Sequence, residues 1–197
     1  MATAPLTDAQ ITEFYAKAKG VSPEWHESYA AYLHRISKLS NDQLRKPVEQ
    51  ENLWRARDLT TIGPGEAVDV SKTYADPKVA DALIDLRTRT WSPDGTTRAA
   101  EVQEEFDRIL ELVMAAKGGE NEARPLAKLT RVFMALLPKD IHCVVSKAED
   151  DVRALLGVSR RHSRIQRHVL IRDRLRTALG DETSLEESAR RSIFCWW

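Results

Sequence analysis

The sequence predicts an all-α fold, a single compact domain of about eight helices over residues 1–197, and three observations lead there. Capping signals recur at helical intervals, and between them the apolar residues follow the 3.6-residue period instead of strict alternation. At 197 residues the chain is long enough for one core that needs no disulfide or metal support. Eight Gly, eight Pro and 42% hydrophobic residues suit an ordered globular interior, not a linker-rich chain.

The elements follow in order. Thr7 caps a first helix ending at Gly20, and Ser22-Pro23 opens a second whose Trp25, Tyr29, Leu33, Ile36 and Leu39 form one apolar stripe, read as core. Asn41 to Lys46 gives a short helix limited by Pro47. Val48 to Leu59 gives another, carrying Leu53 and Trp54, before the turn Gly63-Pro64-Gly65. Ala67 to Val70 is extended at best. Asp76-Pro77, a cap followed by proline at the first helical position, starts a helix to Thr90, which Trp91-Ser92-Pro93-Asp94-Gly95 breaks. The helix Arg98 to Lys117 buries Val102, Phe106, Ile109, Leu110, Val113 and Met114 and stops at Gly118-Gly119. Pro125 opens the next, with Leu126, Leu129, Phe133 and Leu136 on one face, and Pro138 ends it. Ile141 to Val145 is apolar but too short to assign, and reads as a tight connection. Ser146 and Glu149 make a capping box for a helix ending at Gly157, and Ser163 to Leu179 makes another, closed by Gly180. Ser184 and Glu187 cap a last helix that carries Leu185, Ala189, Ile193, Phe194, Trp196 and Trp197 to the final residue without a stop signal. That ending reads as one domain of a longer polypeptide, unless both indoles fold back onto the core.

Charge is distributed unevenly along a chain that is neutral overall. Residues 1–120 carry 15 Lys+Arg against 20 Asp+Glu, and residues 121–197 carry 15 against 10. Between Arg160 and Arg176 lie seven arginines, two histidines and a single acid, Asp173. A guanidinium presents a planar, permanently charged donor fork that matches phosphate oxygens, so this cluster points to a polyanion. The competing reading is a solvated helix face in a chain biased towards Arg.

Other chemistries lack their residues. There is no Gly-x-x-x-x-Gly-Lys-Ser/Thr loop, so the fragment is not expected to hydrolyse nucleotides. His26, His34, His142, His162 and His168 fall on different elements without metal-ligand spacing, and the closest approach to a nuclease carboxylate cluster is Asp69-Val70-Ser71-Lys72 or Asp81 with Asp85. We therefore expect no catalytic residue, no cofactor and no metal. Cys143 and Cys195 are far apart, no secretion signal is present, and no run approaches the roughly 18 apolar residues of a membrane span. A cytoplasmic protein without membrane contact is expected.

The segment 146–179, two capped helices joined over Gly157 to His162, has the look of a helix-turn-helix pair, although the connection exceeds that motif's usual about 3 to 4 residues. In that geometry Arg160, Arg161 and Arg164 lie at a helix N-terminus, where the dipole and free amides also favour phosphate. Gln166 and Arg167 are then placed to face base edges, with Arg172 further along the helix. His162 and His168 add pH-sensitive charge, and Lys128 and Arg131 extend the surface. Trp25, Trp54 and Trp91 are candidates for stacking on an extruded base, against a core role for each.

The stretch LWRARDLTTIGPGEAVDV (53–70), Lys128 to Asp140 with its Leu-Leu-Pro-Lys-Asp ending, Arg167-His168, and Glu187 to Phe194 resemble the leader of McrB-like AAA-type ATPase or GTPase subunits of modification-dependent (type IV) restriction systems. The resemblance covers about two thirds of the chain. It implies DNA recognition in antiviral defence by a non-catalytic N-terminal domain, followed by a Walker-type motor and joined by a separate nuclease subunit. The modified-cytosine readers of that family are mixed α/β modules, so their pocket residues do not transfer to this sequence. The alternative function is a helical protein-interaction domain that docks a partner nuclease or stabilises the motor ring.

Overall fold

A computed structural model describes residues 4–18, 23–55, 68–119, 122–142 and 149–194. Among them are ten helices and no strand: α1 (Asp8–Lys17), α2 (Pro23–Ser37), α3 (Asn41–Leu44), α4 (Pro47–Arg55), α5 (Pro77–Thr88), α6 (Gly95–Lys117), α7 (Leu126–Leu136), α8 (Glu149–Leu155), α9 (Arg164–Leu179) and α10 (Leu185–Phe194). A 3-10 turn, Ser71–Thr73, precedes α5. Nine of the helices are seven residues or longer, and the fold class agrees with the all-α reading.

Sequence signals explain most boundaries. Thr7 and Gln10 form a reciprocal capping box at α1, as do Ser40 and Gln43 at α3. Asp76 accepts from the Lys78 and Val79 amides with Pro77 at the first helical position, and Asp94 accepts from Thr97 to start α6. The helix expected from Arg98 begins a turn earlier, at Gly95, because Asp94 is the cap.

The main core gathers α2, α4, α5, α6 and α7, with Phe106 and Phe133 meeting edge to face at 5.1 Å. Tyr29, Leu33 and Ile36 enter it as the stripe predicts. Trp25 does not: it stands on the first turn of α2, 40% exposed, one turn before the stripe becomes buried. A smaller cluster of Ile11, Val152, Leu156, Val158, Ile171 and Leu175 joins α1, α8 and one face of α9. Helix α9 serves both clusters, giving Ile165 and Val169 to the first and Ile171 and Leu175 to the second. It packs along α6 on one side and under α1 on another.

The turn at 63–65, Ala67, Cys143 to Val145, Ser146, Cys195 and both terminal tryptophans fall outside the described residues. No described helix is long and apolar enough to cross a membrane.

Candidate nucleic-acid interface

Helix α9 begins at Ser163, whose N–H donates to the Gln166 side chain at 2.9 Å while its hydroxyl donates to Gln103 of α6 at 2.6 Å. Gln166 thus points its amide oxygen back at its own helix start. It is not aimed outward to read a base edge.

The wider expectation of an outward-facing cationic surface is corrected by burial. Within α9 only Thr177 is exposed and nine residues are half-buried, with α6 and α1 packed along the helix. A recognition helix needs an open face to enter a major groove, and outside its buried stripe α9 offers only half-buried side chains and Thr177. Arg172 is wholly buried. Its guanidinium donates to Glu182 at 2.6 Å, to the Pro138 carbonyl at 2.8 Å, to the Ser188 carbonyl at 3.1 Å and to the Ser192 hydroxyl at 3.2 Å. Arg191 of α10 approaches the same Glu182 and is held by Glu187 at 2.9 Å. Burial pulls the Arg172 pKa down, and Glu182 opposes that pull. The buried charge is held by acceptors at Nη1 and Nη2, while its Nε finds no partner among the described residues.

Three more α9 arginines are tied to carboxylates. Arg167 binds Glu149 of α8 at 2.6 Å, Arg174 binds Asp8 of α1, and Arg176 binds Asp173 at 2.9 Å. Asp173 also accepts from Arg98 of α6, and Asp140 lies 3.8 Å from both Arg98 and Arg176. Burial raises the Asp140 pKa against the pull of Arg176 and Arg98. The acids come mostly from the second half of the chain and not from the acidic first half.

The remaining candidates divide sharply. His168 is buried, which pushes its pKa down to about 4, so it adds no charge near neutral pH. Lys128 and Arg131 are buried on α7 and do not extend a surface. Trp54 is buried with its indole N–H on Gln50, and Trp91 is half-buried beneath the Arg89 guanidinium, so these two and Trp25 sit on separate elements. Near the start of α9, Arg160 is exposed and meets Asp150 at 3.3 Å. Arg161 is exposed, His162 and Arg164 are half-buried, and neither Arg161 nor Arg164 meets a carboxylate among the described residues.

Sequence reasoning missed Glu182, Asp140 and Arg98, which hold the cluster together. The α9 pattern carried a signal for the central one: Ile165, His168, Arg172 and Leu175 follow helical spacing, which puts Arg172 on the buried stripe.

Protein-family models, characterised proteins and solved structures yield no match to this chain. The described residues also hold no group of three or more His, Cys, Asp or Glu suited to a metal ion.

Proposed function

We propose that this chain is a non-catalytic helical docking domain whose arginine helix organises the fold, and that its partner is a protein. The observation that carries this reading is the internal use of the α9 guanidiniums: Arg167, Arg172, Arg174 and Arg176 are all bound to carboxylates. Cations already paired have few counterions to displace from a nucleic acid, so the polyanion argument loses most of its charge. In the McrB-like setting that the sequence resembles, such a domain docks the nuclease subunit or braces the motor ring.

The DNA reading survives only at Arg160, Arg161 and Arg164, and one experiment separates the two. Anisotropy of a labelled duplex is titrated with the chain at about 50 mM and about 200 mM salt, conditions between which a protein with many phosphate contacts loses orders of magnitude in affinity. Docking predicts weak binding with a shallow salt slope, together with co-sedimentation of the chain with an AAA-type ring or its nuclease subunit. Tight, steeply salt-dependent binding that disappears in Arg160→Ala/Arg161→Ala/Arg164→Ala at unchanged melting temperature would restore DNA as the partner.

A further inference from the structure

Between α8 and α9 the chain turns and lies back along α8 instead of projecting from it. The Val158 N–H donates to the Arg153 carbonyl at 2.9 Å, and the Arg153 guanidinium returns a bond to the Val158 carbonyl at 2.6 Å. Arg160 reaches Asp150 at 3.3 Å, and Arg167 holds both the His162 carbonyl and Glu149. The N-terminal segment closes the other end of α8. There the Leu6 N–H donates to the Leu155 carbonyl at 2.7 Å, and the Leu6 carbonyl accepts from Arg174 at 3.0 Å. Pro5 lies against Gly157, its Cβ 3.3 Å from where a glycine Cβ would stand. These contacts fix a corner on which Pro5, Ala154, Leu155, Arg160 and Arg161 are all exposed.

Two cations of this corner differ from the rest of the arginine cluster. Arg161 and Arg164 meet no carboxylate among the described residues, whereas Arg167, Arg172, Arg174 and Arg176 each have one. Their open donor forks suit carboxylate or phosphate oxygens equally. What stands beside them favours the carboxylate. Asp150, 63% exposed, lies next to Arg160, and the exposed Asp151 sits one turn before Leu155 on α8. A duplex, with one charge per about 1.7 Å of its axis, sets phosphates against these acids as well as against the arginines. A protein segment carries its charges only where the arginines need them, and it brings an apolar side chain for Leu155, which a phosphate backbone lacks.

We propose that this corner is the docking surface for an acidic segment of a partner protein, whose carboxylates take Arg161 and Arg164 while an apolar side chain beside them seats on Leu155 and Pro5. The assignment rests on the docking reading above and names the surface that docks.

Nuclear magnetic resonance of the whole chain in about 50 mM salt tests it, with three probes: a capped Glu-Glu-Leu-Glu-Glu peptide, its Gln-Gln-Leu-Gln-Gln counterpart and a mixed-sequence DNA duplex. The acidic peptide should give saturable shifts confined to the amides of 6 and 154–164, with a Kd of about 1 mM. The glutamine peptide should bind about tenfold more weakly, as should the acidic peptide to Arg161→Ala/Arg164→Ala. Leu155→Ser should weaken the acidic peptide about threefold. Should either variant melt early, the two peptides on the wild-type chain decide. No saturable shift at this corner, equal binding of the two peptides, or tighter binding of the duplex to the same amides would each overturn the assignment, the last giving the corner to nucleic acid. If the corner fails while the chain still co-sediments with an AAA-type ring, the docking reading stands with its surface elsewhere; loss of both removes both.

Discussion

At the scale of single residues, the α9 arginines are of two kinds, and stability measurements can tell them apart. Arg172 is sealed against Glu182, so removing Glu182 leaves a buried guanidinium without a carboxylate, and removing Arg172 leaves the buried Glu182 only the more distant Arg191 at 3.7 Å. Arg172→Ala and Glu182→Ala should each lower the unfolding free energy by roughly 3–5 kcal/mol in urea titrations. Arg161→Ala, at an exposed position with no carboxylate neighbour among the described residues, should stay within about 0.5 kcal/mol. Equal and small losses at all three positions would mean that the helix does not hold its charge inside. Removing both members of the buried pair for apolar residues of similar size, Arg172→Met with Glu182→Leu, should cost less than either truncation, because no charge is then stranded. Composition could not reveal this division, since an arginine reads the same whether it faces water or a glutamate. Spacing did carry it at Arg172, and the lone acid Asp173 inside the cluster is now explained as the shared acceptor of Arg98 and Arg176.

At the scale of elements, close approach between helices is built on positions that tolerate no added bulk. Gly95 opens α6 directly against Asp173 of α9: a Cβ there would lie 2.4 Å from the Asp173 carboxylate oxygen. Asp173 has a short side chain pinned by two arginines and cannot swing aside without releasing them. Gly95→Ala should therefore cost about 1–3 kcal/mol, although alanine is ordinarily the better helix former. In an Asp173→Ala background the same substitution should cost clearly less, and a thermal double-mutant cycle showing no such coupling would disprove the contact. The starts of α1 and α5 were legible because Thr7 and Asp76 act through their own neighbours in sequence, whereas Asp94, taken as part of the preceding turn, caps α6 a turn earlier than expected. The Gly95 contact was not, because it joins residues 78 positions apart and leaves no local pattern. Trp25 shows the converse limit: periodicity places it on the correct face of α2, but how far the core reaches along that face is decided by the helices packed against it.

For the whole molecule, α9 is, among the described residues, the one element shared by two apolar clusters, and that placement governs how the chain should unfold. Ile165 lies in the large cluster and Ile171 in the small one, less than two turns apart on the same helix and both fully buried. Among the described residues the small cluster has six buried members drawn from α1, α8, the turn after α8, and α9, so it is too slight to persist without the helix. The large cluster in turn loses its wall against α6 if α9 leaves. Mutual dependence of this kind makes unfolding all-or-none. Ile165→Ala and Ile171→Ala should each remove roughly 2–5 kcal/mol, the cost of an unfilled core position. Both should shift one shared transition, seen alike by far-ultraviolet circular dichroism and by tryptophan fluorescence, to which Trp54 in the large cluster contributes. If Ile171→Ala instead produced an early loss of helicity while fluorescence held, α1 and α8 would be a separable unit resting on α9. The docking reading would then have to locate its partner surface on whichever unit survives alone.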